Sequence, residues 1–561
     1  MEKVVETKQC KQCSCNFNIT DKDLEFYNRI SPIFNTVKQS IPTPNLCFTC
    51  RQQRRLAWRN ERNLYNRRCD SCKSNIISIY TSDADYKVFC NKCWWDDRWN
   101  ALDYGKTYDF NKSFFQQFDE LLHSIPQMNL LSWQSENCEF SNYIDHCNNC
   151  YLVFGGSDSK ESYYSDDIGS GNNFVDCIGC RNSELCYDSV DLNKCYNIIS
   201  SIECSNSSNL IFCYDCNNCS DCIFSFNLNQ KKYHIFNQEY SKEEYLKEKE
   251  KLNLNIYNEY LHNKERFLNL KKEKAIRKYA NIINSENCSG NNIANSKESQ
   301  SIFDSTNLQD SKYIESSTNS HDIYDIFGSS SKGCELSCEG VCIEGNNIIS
   351  GFYIAGGYNI YYSQFVIACN NIFGCIGLKH NEYCILNKQY TKEEYEDILP
   401  KIIEQMKKNG EWGEFFPISI SPFGYNETVS QEFFPLSKES IISRDYKWQD
   451  KKEKEYTKQT YIIPENIQDL TDDICNHMLS CEITGKNYKI IKQELEFYKK
   501  MNLPIPRRCP NQRHLERIKL KSPHMTWDKK CSKCSIDINT VYSSDELGKV
   551  YCEKCYLDLM Y

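Results

Sequence analysis

The chain has 561 residues, 40% hydrophobic and 25% charged, with a mean hydropathy of -0.66, the profile of a soluble protein several domains long. No run of about eighteen apolar residues occurs, which excludes a membrane-spanning helix, and Met1-Glu2-Lys3-Val4-Val5-Glu6 lacks the apolar stretch of a secretory signal, so a cytoplasmic location is expected. Lys+Arg 67 against Asp+Glu 76 gives a formal charge of -9, which argues against coating of nucleic acid along the whole length but leaves room for a local basic site. The 35 cysteines are an odd number, and in a reducing compartment they read as metal ligands or buried thiols, not disulfides.

Residues 1–134 form the first predicted module. Cys69-x-x-Cys72 and, 17 residues on, Cys90-x-x-Cys93 have the spacing of a zinc ribbon, in which each knuckle supplies two thiolates to one tetrahedron. A further site uses Cys10, Cys13, Cys47 and Cys50, with Cys15 as a substitute for Cys13. The second pair precedes a stretch, Arg51 to Asn66, read as helix, whose dipole would help hold thiolates. On a wheel of about 100° per residue, Arg51, Arg54, Arg55, Arg59 and Arg62 share one face with Trp58 and Tyr65. That basic and aromatic face suits RNA or single-stranded DNA, through phosphate contact and base stacking. The same pattern also fits a solvated face with cation–π packing, or a surface that docks the acidic middle of its own chain.

Residues 135–240 carry Cys177, Cys186, Cys195, Cys204, Cys213 and Cys222 at nine-residue intervals. Short runs broken by Asn, Asp, Ser and Gly predict strands joined by tight turns, with two nonapeptides to one coil of a β-solenoid. Reduced Cys suits a narrow interior, so a stacked ladder of buried thiols is expected. Cys213, Cys216, Cys219 and Cys222, three apart, also invite a metal-cluster reading. Residues 241–284 read as a helical connector that starts in a capping box, Ser241 with Glu244. Residues 285–390 repeat the solenoid at an offset of 150, pairing Tyr233, Asn237, Tyr240 and Tyr245 with Tyr383, Asn387, Tyr390 and Tyr395; Phe327, Leu336, Ile354 and Ile372 stand for the periodic Cys there, and Cys342, Ile360, Cys369 and Leu378 take the ninth position. Residues 391–470 read as a helix that opens with Thr391 and Glu394 and ends at Gly410, then a proline-punctuated connector.

The last module, 471–561, repeats the first. Cys481 through Tyr498 match Cys10 through Tyr27 at an offset of 471, and Pro504, Pro506 and Cys509 match Pro42, Pro44 and Cys47 at 462. The second zinc ribbon follows as Cys531, Cys534, Cys552 and Cys555. Thr484 and Gln512 replace the remaining two ligands of the other site. Cys481 and Cys509 are therefore expected to pack without metal, unless His514 or Cys475 completes the set. Each terminal module has a basic stretch, 51–68 and 507–530, of net charge +6, which leaves -21 for the rest.

Cys10, Cys13, Phe17, Phe26-Tyr27, Pro44 and Cys47-Phe48-Thr49-Cys50-Arg51 resemble the probable zinc-ribbon, treble-clef-like domains of uncharacterised bacterial proteins. The whole chain is similar to multidomain proteins of unassigned function with such modules at both ends, encoded by candidate-phyla bacteria. The resemblance implies Zn2+ and a fold without implying an activity. The expectation is a multidomain, mainly β protein: terminal zinc-ribbon/treble-clef modules flanking two duplicated β-solenoid, parallel β-helix-like domains with helical connectors. It is read as non-catalytic, since no His-Glu-x-x-His, phosphate loop or Gly-x-Ser-x-Gly elbow is present. It binds nucleic acid through its basic helices or, alternatively, serves as a protein-interaction scaffold through its solenoid faces. A β-helix carbohydrate-active enzyme using carboxylates such as Asp166 and Asp167 is the least favoured reading.

Overall fold

The computed structural model describes residues 2–450, 456–545 and 548–560. The protein is mainly β, with two large sheets built from parallel strands, and it divides into two units. The first joins residues 1–130 to 280–450; the second joins 131–279 to 451–561. Each terminal module thus folds against the sheet that lies farther from it along the chain. Among the described residues no helix is long and apolar enough to cross a membrane.

In the second unit the strands Glu184–Tyr187, Tyr196–Ile199, Ser208–Ile211, Ser220–Ile223 and Lys232–Ile235 run parallel. Their register advances by twelve residues each time: Cys186 pairs with Ile198, Ile198 with Leu210, Leu210 with Cys222 and Cys222 with His234. Bridges elsewhere keep the same step, as Val190 with Ile202 and Ile202 with Tyr214. The expected eighteen-residue coil of two nonapeptides is corrected to a step of twelve.

The underlying period is three. Asn182, Leu185, Asp188, Asp191, Lys194 and Asn197 all take φ between 51 and 56°. The residue after each, Ser183, Cys186, Ser189, Leu192, Cys195 and Ile198, is buried. A left-handed residue costs about 1–2 kcal/mol for most side chains, and Asn and Asp tolerate it best, so the abundance of Asn and Asp has a structural cause. The nine-residue cysteine rhythm follows from the same geometry. Nine is one step of twelve less one triplet, and it places each thiol beside the carbonyl nine residues on. Cys177 donates to Cys186 O at 3.3 Å, Cys195 to Cys204 O at 3.4 Å and Cys213 to Cys222 O at 3.4 Å. Inward serines do related work for N–H groups that would otherwise be buried unpaired. Ser165 accepts from Cys177 N, Ser183 from Cys195 N and Ser201 from Cys213 N, at 2.9 to 3.1 Å.

The sheet of the first unit uses the same step, as in Ile302 with Ile314, Ile360 with Ile372 and Ile372 with Cys384. Its triplet phase shifts along the way. Ile354, Ile360, Cys369, Ile372 and Leu378 are buried as expected, but Leu336 and Cys342 fall on left-handed positions, and Phe327 is only half-buried, so these three depart from the predicted inward register.

Local capping chemistry sets the helices. The helix Lys392–Asn409 begins in the Thr391/Glu394 box and stops at Gly410, φ 71°, the left-handed cap that glycine supplies without steric cost. Ser241 and Glu244 cap Lys242–Glu250 in the same way. The predicted connector helix is broken there and resumes as Tyr257–Lys274.

Candidate metal centres and the faces beside them

The metal-ligating cysteines stand at two recurring local structures. The first pair of each site lies at a hairpin tip, as between Tyr65–Arg68 and Asn75–Ser78 or Trp527–Lys530 and Asp537–Thr540. The second pair opens a helix: Cys47 precedes Phe48–Leu56, Cys90 precedes Asn91–Trp94 and Cys552 precedes Glu553–Met560. Each hairpin tip closes on a left-handed residue, Ser14, Lys73 or Ser535, at φ 61 to 63°. Its amide returns to the first cysteine's carbonyl, at 2.9 Å in all three.

The outcome is three groups, Cys10/Cys13/Cys47/Cys50, Cys69/Cys72/Cys90/Cys93 and Cys531/Cys534/Cys552/Cys555, in which all ligand atoms lie within 4.8 Å of one another. Sulfur separations are 3.6 Å for Cys13 and Cys47, 3.9 Å for Cys72 and Cys90, and 3.7 Å for Cys534 and Cys552. Thiolates tetrahedrally placed at about 2.3 Å from an ion stand about 3.8 Å apart, so the geometry fits a four-thiolate metal site. Cys10, Cys13, Cys47 and Cys50 are brought together as predicted. Cys15 is not: it is exposed, and its carbonyl instead accepts the Cys10 amide at 2.9 Å.

Within each group some thiols are eased toward ionisation while others, Cys13, Cys50, Cys90 and Cys555, are pushed up. A hydrogen bond from Cys50 pulls the Cys47 thiol down to about 5, and one from Ser74 brings Cys72 to about 6. At Cys531 burial opposes ionisation, but the amides of Cys552 and Cys534 outweigh it and hold the thiol at about 6. Amides also reach sulfur directly, Cys90 N to Cys69 Sγ at 3.2 Å and Cys552 N to Cys531 Sγ at 3.3 Å. Four converging sulfurs with few other donors are a soft set suited to a tetrahedral first-row ion.

The fourth copy keeps the hairpin turn, with Gly485 N returning to Cys481 O at 2.9 Å, and keeps Cys509 at the start of Pro510–Ile518. Cys481 and Cys509 belong to none of the three metal-competent sets. Thr484 Oγ1 lies 3.7 Å from Cys509 Sγ, and Gln512 turns to Glu516. His514 faces Asp166 at 3.8 Å, and Cys475 packs at the edge of the unit's hydrophobic core.

The predicted basic helix is corrected in length, and its arginines face acids of the same chain. The helix ends at Leu56, well short of Asn66, because Asn60 caps the following turn through Asn63 and Ile79. Arg51 and Arg55, 3% and 2% exposed, grip Asp325 from both sides at 3.0 and 3.2 Å. Glu339 pairs with Arg54 at 2.9 Å and with Arg55 at 2.8 Å, and Arg54 also reaches Glu414. Trp58 is buried among Phe352, Phe415 and Phe416. Arg59 lies over the Phe327 ring, pairs with Glu61 and donates to Cys342 Sγ at 2.7 Å. Arg62 is half-buried near Glu432. Arg51, Arg54, Arg55 and Arg59 thus pair with acids of the chain itself.

The other terminal module docks by matching residues. Arg513 and Arg517, 462 positions beyond Arg51 and Arg55, converge on buried Asp176, Arg517 at 2.7 Å. Each first arginine also lies over a tyrosine ring of its own unit: Arg51 over Tyr313 at 5.2 Å, Arg513 over Tyr164 at 4.5 Å. Asp325, Glu339 and Asp176 had no local signal in the sequence, because an acid in an acidic repeat looks like any other until its partner is placed. Asp166 and Asp167 serve this dock as well: Asp167 pairs with Arg181 at 2.6 Å and Lys521 at 3.1 Å.

No protein-family profile matches the chain, and comparison with curated proteins and with solved structures finds no match either.

Proposed function

We propose that the protein is a non-catalytic, zinc-stabilised scaffold. The three cysteine tetrads hold structural Zn2+ in modules of zinc-ribbon and treble-clef type. The two sheets are walls of β-solenoids with twelve-residue coils, whose outer faces are offered to protein partners. The paired docks carry this reading: Arg51 and Arg55 on Asp325, and Arg513 and Arg517 on Asp176, bind the basic helices to the chain's own acids. A nucleic acid would have to replace those buried carboxylates before it met the arginines. When zinc is bound, it neutralises the converging thiolates and ties hairpin to helix; the chain's own residues hold the modules on the sheets.

The test uses the full chain. Elemental analysis is expected to find about three zinc per chain, and fluorescent RNA is expected to show no salt-sensitive binding. A protein that is metal-free yet folded removes the zinc assignment. RNA binding abolished by Arg54→Glu with Arg62→Glu would replace the scaffold reading with nucleic-acid binding.

A further inference from the structure

We propose that Trp94, Trp95 and Trp99 form an aromatic cage for a methylated ammonium group, which Lys379 plugs in the free protein. The cage goes beyond the zinc and scaffold readings and uses no metal ligand.

The second knuckle of the first ribbon runs on as Cys93-Trp94-Trp95-Asp96-Asp97-Arg98-Trp99, which gathers three of the chain's eight tryptophans in one short stretch. Their rings stand at steep angles. Trp94 and Trp95 have centroids 4.9 Å apart at 81°, and Trp94 and Trp99 5.8 Å apart at 57°. Planes so inclined face a shared space instead of stacking on one another. Hydrogen bonds fix two of them: Trp95 Nε1 donates to Asn91 Oδ1 at 3.0 Å, and Trp99 Nε1 to Trp94 O at 2.9 Å.

That space holds a cation. Lys379, bridged in parallel register to Ile367, places its Nζ 4.5 Å from the Trp94 ring centroid, 4.7 Å from Trp95 and 5.7 Å from Trp99. All three distances fall within the roughly 6 Å over which a ring face attracts a cation. The ammonium donates to Trp94 O at 3.1 Å, and among the described residues it forms no ion pair. Three ring faces and one carbonyl are a poor match for three N–H donors. They suit a methylated ammonium, whose methyl groups need contact and no acceptor. Aromatic cages select such cations, and the strongly hydrated ammonium of lysine is the weaker competitor.

The other ribbon shows that the fold does not require the cage. At the offset of 462, Tyr556 and Leu557 stand for Trp94 and Trp95, and at 150 Asn229 stands for Lys379. Tyr556 donates to Asp215 instead, so that ribbon meets its sheet without paired indoles or a caged cation. The cage also faces solvent. Trp95 is 36% exposed, Lys379 and Trp99 are half-buried, and withdrawal of the flexible lysine stem opens the space.

Calorimetric titration of the zinc-loaded full chain with choline tests the proposal, with the uncharged tert-butyl analogue of choline as control. Choline is expected to bind at least about tenfold more tightly than the analogue, since the ring faces attract only the charged form. Trp95→Leu, which installs the residue of the other ribbon, should weaken choline binding at least tenfold. Lys379→Ala, which removes the plug, should strengthen it by as much. Zinc content and circular dichroism check each variant, and Trp99→Leu replaces Trp95→Leu if that variant loses zinc. A peptide with one trimethyllysine, set against its unmodified form, identifies the source of the group: binding tighter than choline assigns the cage to a protein ligand, and weaker binding to a free small cation. Failure of the parent to bind either methylated ligand, equal binding of the uncharged analogue, binding unchanged in Trp95→Leu, or binding only after Lys379→Ala would each overturn the assignment. The zinc content judges the scaffold reading separately.

Discussion

Asp176→Asn removes the carboxylate that two buried guanidiniums share. Asp176 and Arg517 are each 1% exposed. Arg513 retains Glu494 at 3.6 Å, and Arg517 retains the Tyr164 carbonyl at 3.1 Å. Neither replaces a shared anion, and breaking a buried ion pair from one side costs about 3–5 kcal/mol. At about 1.4 kcal/mol per factor of ten, opening of the dock becomes roughly a hundredfold to a few thousandfold more frequent. Amide exchange read by mass spectrometry should show that loss of protection in Pro510–Ile518, since exchange reports local opening free energies. Asp325→Asn should affect Phe48–Leu56 less. Glu339 stays in place there, at 2.8 Å from Arg55 and 3.8 Å from Arg51. Unchanged exchange in Asp176→Asn, or a larger effect from Asp325→Asn, would refute the reasoning about countercharge.

Cys69→Ser should remove one metal equivalent of three and loosen the Tyr65–Arg68 hairpin, read by elemental analysis and proteolysis; retention of all three equivalents counts against that tetrad. Ser201→Ala strips the partner from Cys213 N and from Ile199 O, so urea unfolding should show a loss of about 1–3 kcal/mol, and Ser201→Cys a smaller one. Burial raises the Glu494 carboxyl to about 7, against the pull of Arg513 and of hydrogen bonds from Tyr164 and Tyr498. A folded state that keeps a proton the unfolded chain releases loses stability as pH rises. The unfolding midpoint should therefore fall between about pH 4.5 and 7, and the fall should be shallower in Glu494→Gln; identical profiles would show that this carboxyl is not the source.

The readings that succeeded were those carried by nearby residues. A Cys-x-x-Cys turn followed by a left-handed residue needs only its own backbone, and the tetrads follow from it. Thr391, Glu394 and Gly410 mark a helix because caps satisfy groups within one turn. The nine-residue spacing is visible in the sequence and reads there as half of an eighteen-residue repeat, but its meaning depends on which backbone carbonyl each thiol meets. A finer signal, Asn or Asp recurring among the left-handed thirds, was present and would have shown the triplet.

From its own spacing the chain determined where thiolates gather and which segments turn, since those depend on contacts spanning a few bonds. Only the tertiary structure decided the fate of the arginines and which sheet each terminal module joins. Charges separated by more than 250 residues become partners, as Arg51 and Asp325 do, only once folding has excluded the water between them. A buried ion pair depends on that exclusion, and no local pattern encodes it.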